Sequence, residues 1–269
     1  MTAILRLGYR TLVVAVPVFL LLPFVGVVLA SLSPQGALNF PPQGFSLQWY
    51  RSIDPSYFEA LWYSVRLATA STLLVVLLGV PAAVVIARSR SRYVAPLNAM
   101  LLAPLAVPSI VVAVAGFKFA LLAQDGTGLA LNGSSTAIVL LQGVMTLPIV
   151  VRTVVASFAH YDVAIDEAAQ SLGATPLYAF WRITLPALVP GIAAGAIFAF
   201  VLSFDDMVIA WFIGNPAELT LPVKLFTSIE VEFDNAITAL STLIVAAWAV
   251  LLLVLSRFLR LDRAGPFGR

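Results

Sequence analysis

Six apolar segments, each about 20 residues or longer, constrain this chain more than any other feature of its sequence. They cover approximately Thr11–Ser31, Ala60–Ala87, Pro96–Ala123, Thr136–Phe158, Pro186–Ile213 and Ala236–Phe258. A helix needs roughly 20 apolar residues to cross a hydrocarbon core about 30 Å thick. Because 61% of the 269 residues are hydrophobic and only 10% are charged, a soluble fold would lack the polar side chains to cover its surface. We predict an all-α, polytopic membrane protein with six transmembrane helices in a single transmembrane domain over residues 1–269.

The basic residues predict the orientation of these spans. An even number of spans places both termini on the same side, and that side holds ten arginines: Arg6, Arg10, Arg88, Arg90, Arg92, Arg182, Arg257, Arg260, Arg263 and Arg269. The opposite loops hold only Arg51 and Lys224. The positive-inside rule therefore predicts that both termini are cytoplasmic. We attribute Arg88, Arg90 and Arg92 to this topology and to contact with anionic membrane lipid rather than to a specific partner.

The composition also excludes several kinds of chemistry. The chain has no cysteine and a single histidine, His160, so it contains neither a thiolate nucleophile nor a zinc site built from histidines. It has no phosphate-binding loop of the form GxxxxGK[ST], and its only lysines are Lys118 and Lys224. We therefore expect no cofactor, no metal site, no catalytic residues and no nucleic-acid partner, and we assign no role to His160. Any ATP must be hydrolysed by another subunit.

The loop at about residues 159–185 is the longest predicted cytoplasmic segment, and its sequence predicts two short helices. Asp162 is a suitable N-cap, and Asp166 and Glu167 favour the N-terminal half of the first helix through the helix dipole. Gly173 suits the left-handed position that ends this helix. From composition alone, an amphipathic helix at the membrane interface and a helix that docks on another protein are equally good interpretations.

The second short helix is predicted from three residues. Thr175 is placed to cap it, with Pro176 in its first turn, and Pro186 is similarly placed to open the fifth span.

A sequence motif in this loop favours docking on another protein. The spacing EAA-x3-G-x9-I-x-LP is filled at every fixed position, by Glu167, Ala168, Ala169, Gly173, Ile183, Leu185 and Pro186. The loop resembles the EAA loop of ABC-importer permeases, which lies before the penultimate span. The resemblance implies the fold of the type I importer permeases and a coupling helix that sits in a cleft of the ATP-binding subunit. Those seven residues are then the candidate contacts for ATPase coupling.

Further segments extend the resemblance along most of the chain. Phe45–Tyr50, Leu202–Asp206 and Leu221–Leu225 are similar to the smaller permease of spermidine/putrescine-type importers, although relatives that move other solutes share these segments. The resemblance implies a multi-pass subunit of the cytoplasmic (inner) membrane. Its implied partners are two copies of an ATP-binding cassette subunit, a periplasmic or lipid-anchored solute-binding protein, and a small-molecule substrate. The resemblance also implies a second permease, and a heterodimer is favoured over two copies of this chain.

Asp205 and Asp206 are the candidate substrate-pathway residues. An intramembrane charge costs about 2.5–3.5 kcal/mol on the insertion scale, so such residues seldom face lipid. Neighbouring helical residues point about 100° apart, so we expect one carboxylate to face the pathway and the other to cap a helix break or to pair with Arg66, Lys118 or a partner subunit. The alternative is a helix-end cap or ion pair with no role in transport.

Two other features of the outer side have both a possible role in transport and an ordinary structural explanation. Trp211 could stack on an alkyl chain in the pathway or belong to an interfacial aromatic belt. The acidic outer segment at about 214–235, with Glu218, Glu230, Glu232 and Asp234, could attract a cation or contact the binding protein, or be a solvated face.

Three other functions compete with an importer of polyamines such as putrescine or spermidine. The same machine could move an aminophosphonate, an opine-like compound or ferric ion. A stand-alone ion-coupled transporter could use Asp205, but it leaves the EAA spacing unexplained. An intramembrane enzyme would need converging carboxylates, whereas those of Asp205 and Asp206 diverge on one helix, or a base for a serine nucleophile, and the only histidine is in a loop.

Overall fold

The computed structural model describes residues 3–34, 44–89, 91–159, 161–231 and 235–261, without the side chains of residues 3–10, 252 and 254–261. His160, Arg90, Glu232, Asp234, Arg263 and Arg269, which the sequence singles out, lie outside these ranges, as do the side chains of Arg6, Arg10, Arg257 and Arg260.

The secondary structure of the described residues is helical, as the sequence predicts. The α-helices are α1 (Ala3–Ser31), α2 (Gln48–Arg51), α3 (Ser56–Arg88), α4 (Val94–Ala106), α5 (Ser109–Thr127), α6 (Ser135–Phe158), α7 (Ala164–Ser171), α8 (Pro176–Ala179), α9 (Leu185–Asp205), α10 (Val208–Ile213), α11 (Leu221–Val231) and α12 (Ala236–Leu261), with one π-helical turn at Phe180–Thr184.

Most of the predicted spans are confirmed as long apolar helices. Five helical stretches are long and apolar enough to cross a membrane: Thr11–Ser31, Ser56–Arg88, Ser109–Thr127, Ser135–Phe158 and Pro176–Asp205. The predicted sixth span falls on α12, which has 26 residues. The chain is therefore an all-α protein of the multi-pass type, with two of its predicted spans bounded differently from the prediction.

The third predicted span, Pro96–Ala123, is wrong as a single helix. The structure divides it into α4 and α5, and Val107 between them has an extended conformation with φ −95° and ψ 130°. Pro108 is also extended, with φ −56° and ψ 136°. The ring of a proline disfavours the helical conformation of the residue before it, which explains the break. α5 alone is long enough to span, and α4 is a shorter apolar helix before it.

The fifth predicted span, Pro186–Ile213, differs from the structure at both ends. Pro186 lies in the first turn of α9, as predicted, but no break precedes this helix, because α8, the π-helical turn and α9 are continuous from Pro176 to Asp205. A proline lacks an N–H and collides with the carbonyl four residues earlier. The wider π turn just before Pro186 accommodates both defects. At the other end α9 stops at Asp205, and the separate α10 begins at Val208.

The chain forms two compact units, which we describe separately. The first contains the residues up to Tyr57 and those from Leu225 onward. Here α1 and α2 both pack against α12. The indole Nε1–H of Trp49 donates to the carbonyl of Ser33 at 2.7 Å, and the hydroxyls of Tyr50 and Ser31 lie 2.8 Å apart. These bonds hold the short α2 against the end of α1.

The second unit, Phe58–Lys224, contains the candidate functional residues. α6 and α9 pack closely at its centre. Gly191 and Gly195 lie one turn apart on α9 and face Thr153 and Ser157 of α6. Small residues four positions apart let two helices approach closely, as is common inside membranes. The buried side chains around this contact include Val75, Val150, Val154 and Leu188.

We expect that Gly191→Ala will destabilise the protein by about 1–3 kcal/mol, because overpacking forces the two helices apart. A Cβ atom at Gly191 would lie 2.9 Å from the carbonyl oxygen of Thr153 and also against the Ser157 side chain. The measurement is the Tm of the purified membrane protein. Gly126→Ala is the control, since nothing lies within 4 Å of the added Cβ there. Equal Tm values for the two variants would contradict the close packing of α6 and α9.

Candidate coupling surface and membrane cavity

The first loop helix, α7, ends as the sequence predicts. Gly173 has φ +95°, a left-handed conformation that glycine adopts without strain. Its N–H donates to the carbonyl of Gln170 at 2.9 Å, and the N–H of Ala174 donates to the carbonyl of Ala169 at 3.0 Å. This pair of bonds is a Schellman motif, which satisfies carbonyls that the helix end would otherwise leave free. Gly173 therefore sets where α7 stops.

The predicted helix starts are confirmed with one shift of position. The Thr175 side chain accepts from the N–H of Tyr178, and Pro176 occupies the first turn of α8. The carboxylate of Asp162 accepts from the N–H of Ala164 at 2.9 Å. The residue that precedes α7 is Val163, so Asp162 caps from one position further out than expected.

The two halves of the EAA-spaced segment occupy different environments. Glu167 and Ala168 are exposed on α7, and Ala169 is half-buried. Gly173 is also exposed, and Leu172 beside it has 91% of its surface exposed. The structure therefore places the first half of the motif on one exposed, short helix. This helix packs against α8 and the π-helical turn.

The second half of the motif lies at the start of α9 rather than on the exposed surface of α7. Ile183 and Leu185 are half-buried, and Leu185 packs against the apolar core around α3 and α6. Pro186 is exposed. These three residues join the loop to the fifth span. They are therefore placed to support α7 rather than to contact a protein that binds to its exposed surface.

Asp166, the residue before Glu167, is buried and was not singled out as a binding residue by the sequence. Its exposed fraction is 2%, and it forms an ion pair with the guanidinium of Arg88. The hydroxyl of Tyr161 donates to Asp166 at 2.6 Å, and that of Thr184 lies 3.0 Å from the same carboxylate. Arg88 also donates to the Thr184 hydroxyl at 2.9 Å. Arg88 therefore has a specific partner within the chain that the sequence analysis did not assign to it, while its contribution to the membrane topology stays a prediction.

Aromatic rings border this cluster. Phe158 packs edge-on against Tyr161, with ring centroids 6.0 Å apart, and the Arg88 guanidinium lies 5.9 Å from the centre of the Phe158 ring. Burial, and then the hydrogen bond to Asp166, raise the pKa of the Tyr161 hydroxyl above its usual value. Tyr161 therefore stays protonated and remains a donor to the carboxylate. By contrast, Arg92 donates to the hydroxyl of its neighbour Tyr93 at 2.8 Å.

A cavity of about 520 Å³ opens where α9 breaks. Small-molecule sites are typically about 300–1,000 Å³ in volume. Its polar lining residues are Ser109, Gln142, Thr146, Ser203, Asp205 and Asp206, and its apolar ones are Leu105, Met145, Ile149, Leu202, Met207, Val208 and Ile209. The carbonyl end of a helix carries partial negative charge, so the end of α9 adds to the charge of the two carboxylates. The cavity is therefore suited to a cation.

Asp205 and Asp206 have different surroundings in this cavity. The Asp206 carboxylate accepts from the N–H of Ile209 at 3.4 Å and from Nε2 of Gln142 at 3.4 Å. It thus caps the break between α9 and α10. Asp205 is exposed and forms no hydrogen bond or ion pair with any described residue. α9 ends between the two residues, at a helix break of the kind that the sequence analysis allowed for.

Gln142 is a cavity residue that the sequence reasoning missed. Only 2% of it is exposed, and its Nε2 also donates to the carbonyl of Ser203 at 3.0 Å. Its Oε1 is buried and has no hydrogen-bond partner among the described residues. An amide inside an apolar span was the available signal, because burying an unpaired polar group costs free energy. Gln142 connects α6 to the broken end of α9.

Other predicted outer residues do not join this cavity. Neither Asp205 nor Asp206 pairs with Arg66 or Lys118, all of which are described. The Arg66 guanidinium instead lies 5.7 Å from the centre of the Tyr63 ring. Trp211 is on α10 and is half-exposed, but it does not line the cavity. Its contact with a solute stays a prediction. Within the acidic segment, Glu230 is exposed on α11.

The apolar helices, the exposed loop helix and the intramembrane cavity define a polytopic membrane transport subunit. Residues 75–262 match the family of binding-protein-dependent transport system inner membrane components. The chain belongs to this family and is a permease of the ABC-importer type in the inner membrane, as its EAA spacing indicates. The intramembrane-enzyme and stand-alone-transporter hypotheses are not favoured.

Curated relatives cover most or all of the chain. It is 33% identical over 207 residues to the putrescine transport system permease protein of Escherichia coli, covering 76% of this chain and 74% of that protein. It is 36% identical over 214 residues to the molybdenum transport system permease protein of Mycobacterium tuberculosis, covering 76% and 81%. It is 28% identical over 263 residues to the spermidine/putrescine transport system permease protein of Escherichia coli, covering 97% and 95%.

Solved structures support the fold. A bacterial ABC transporter involved in the import of the acidic polysaccharide alginate matches with a TM-score of 0.73 at 14% identity, covering 96% of this chain and 98% of that one. The MetNI methionine ABC transporter in an inward-facing conformation matches with a TM-score of 0.59 at 17% identity, covering 74% and 92%. At these identities the likeness concerns the fold alone.

Proposed function

We propose that this chain carries a small cationic solute, a polyamine such as putrescine or spermidine, across the cytoplasmic membrane as one permease of an ATP-driven importer. The observation that carries the proposal is Asp205, an unpaired and exposed carboxylate on a cavity of about 520 Å³ at a helix break. A charge in the membrane interior is costly without a partner. A cationic solute supplies that partner while it passes.

The neighbouring carboxylate adds to the same preference. The Asp206 carboxylate lies beside the cavity, where Gln142 and the N–H of Ile209 hold it in place. Two carboxyl groups and no basic residue line the cavity, which favours amines over anions.

The relatives support two different solutes, and the cavity favours one of them. Two of them are permeases of putrescine and spermidine/putrescine transport systems, and one belongs to a molybdenum transport system. Molybdenum in neutral water is an oxyanion, which the carboxylates of Asp205 and Asp206 would repel. The aminophosphonate, opine-like and ferric-ion alternatives remain outcomes of the same test.

In this proposal, the loop helix α7 transmits the free energy of ATP hydrolysis from the ATPase to the membrane spans. Two copies of an ATP-binding subunit bind this permease and a second, related one, and a periplasmic or lipid-anchored binding protein delivers the solute. Both termini are cytoplasmic, so α7 faces the ATPase. Closure of the ATPase dimer draws the coupling helices together and turns the cavity outward by rigid-body motion. Glu167, Ala168, Ala169 and Gly173 form the contact with the ATPase, and Ile183, Leu185 and Pro186 connect it to the fifth span.

The test is radiolabelled uptake into proteoliposomes that contain the whole co-expressed complex and its binding protein. We expect ATP-dependent uptake of putrescine or spermidine and none of molybdate. Uptake of molybdate, or of ferric ion, an aminophosphonate or an opine-like compound, without amine uptake would overturn the polyamine assignment but not the importer. Amine uptake by the permease without any ATPase would overturn the importer mechanism itself.

A further inference from the structure

The buried cluster around Asp166 lies outside both parts of the proposed function. Its carboxylate pairs with Arg88 and accepts from Tyr161 at 2.6 Å, and the Thr184 hydroxyl bridges Arg88 and the carboxylate. Thr184 is fully buried, and 3% of the Asp166 side chain is exposed. A buried carboxylate is costly unless it is both paired and hydrogen-bonded, and this one is both.

The partners of Asp166 come from three different spans. Arg88 is the last residue of α3, and Thr184 is the last residue of the π-helical turn that leads into α9. Tyr161 follows the end of α6, three residues before α7 begins. All four residues belong to the same compact unit. One carboxylate thus ties the loop helix to the ends of the second, fourth and fifth spans.

The direction of the side chains separates two roles on α7. Neighbouring residues of a helix point about 100° apart. Asp166 points into the cluster and is buried, whereas Glu167 is exposed. The residue proposed to meet the ATPase and the residue that holds the spans are therefore adjacent in sequence and face apart.

We propose that Asp166 is a positioning residue that makes α7 move as one rigid body with the second, fourth and fifth spans. This inference rests on the proposed coupling role of α7. An eight-residue helix is too short to be stable on its own in water, so its orientation depends on the contacts that it makes with the rest of the unit. Hydrogen bonds from three directions fix that orientation. Moving Asp166 away from these partners would leave its carboxylate buried without a partner. That cost opposes any tilt of α7 relative to the spans.

The first test measures the mobility of α7 in the assembled complex without nucleotide. The chain has no cysteine, so Gln170→Cys gives a single site for a spin label on the exposed side of α7. We expect Asp166→Asn to sharpen the spectrum of this label, because the helix gains freedom. Asp162→Asn is the control, since asparagine keeps an oxygen for the N–H of Ala164. Identical spectra for Asp166→Asn and the unsubstituted parent would overturn the proposal.

The second test measures solute taken up per ATP hydrolysed. We expect this ratio to fall by about fivefold or more in Asp166→Asn, the lower end of typical coupling between sites. ATPase subunits should still copurify, because Glu167 is unchanged. A purely structural role would lower the yield of complex and leave the ratio unchanged, and that result would overturn the proposal.

Milder variants keep the proposal testable if Asp166→Asn does not assemble. Tyr161→Phe and Thr184→Val each remove a donor to the carboxylate, and both should lower the ratio by less than Asp166→Asn. Arg88→Lys keeps the charge and should lie nearer the parent than Arg88→Gln. Wild-type ratios in all of these would overturn the inference. Loss of ATP-dependent uptake in the parent complex would instead overturn the proposed function, and the spin-label result would still stand.

Discussion

Glu167→Arg is expected to abolish ATP-dependent solute uptake. Glu167 is exposed in the first turn of α7, where the positive end of the helix dipole favours an acidic side chain. Arginine at this position reverses the charge that the proposed ATPase cleft accepts. A charge clash in an interface costs several kcal/mol, which reduces binding more than about a hundredfold. The measurement is copurification of the ATPase subunit with the tagged permease, together with uptake.

A matched variant separates the coupling contact from a general effect of charge. Ala95→Arg places the same side chain on an exposed position of α4, close to the predicted cytoplasmic loop after α3. It should retain uptake and the ATPase subunit. Glu167→Gln, which keeps the length and removes the charge, should lie between the two. Full uptake in Glu167→Arg would contradict the docking of α7 on the ATPase.

The parts of the loop that the sequence predicted correctly depend on neighbouring residues. Gly173 ends α7 by adopting a left-handed conformation, which depends on the residue itself and on the backbone next to it. Thr175 caps α8 by a hydrogen bond to a residue three positions away. Such signals need no knowledge of the tertiary structure.

The Asp166 cluster could not be predicted in this way. Arg88 and Asp166 are 78 positions apart, and a pairing over that separation leaves no local pattern. Arg88 also lies in a run of arginines that topology alone explains. Topology was a sufficient explanation of Arg88 at the level of the sequence, and only the folded chain brings its guanidinium to the carboxylate.

The helix breaks were missed because prolines do not have a fixed meaning inside membranes. Pro108 coincides with a break, whereas Pro148 lies within the continuous α6 and Pro186 is accommodated by a π turn. Neighbouring helices decide which outcome occurs. The break after Asp205 has neither a glycine nor a proline at it, and the side chain of Gln142 donates there to the Ser203 carbonyl and to the Asp206 carboxylate, contacts that the sequence does not reveal.

We expect Asp205→Asn to raise the KM for putrescine or spermidine by about 10- to 100-fold, since a hydrogen bond to a charged group contributes about 1.5–3 kcal/mol. Asp205 has no partner among the described residues, so its replacement removes a solute contact without breaking a contact of the fold. Asp206→Asn should have a smaller effect, because asparagine keeps an oxygen for the N–H of Ile209. The measurement is initial uptake against solute concentration in the complete complex.

Further variants test whether the charge of the Asp205 side chain, rather than its size or its polarity, determines the KM. Asp205→Glu keeps the charge and should remain close to the parent KM, and Asp125→Asn, at an exposed position near the end of α5, should change nothing. Normal spermidine uptake in both Asp205→Asn and Asp206→Asn would mean that the carboxylates only terminate the helix. The selectivity of the importer would then reside in its binding protein, and the cavity would be a passive passage.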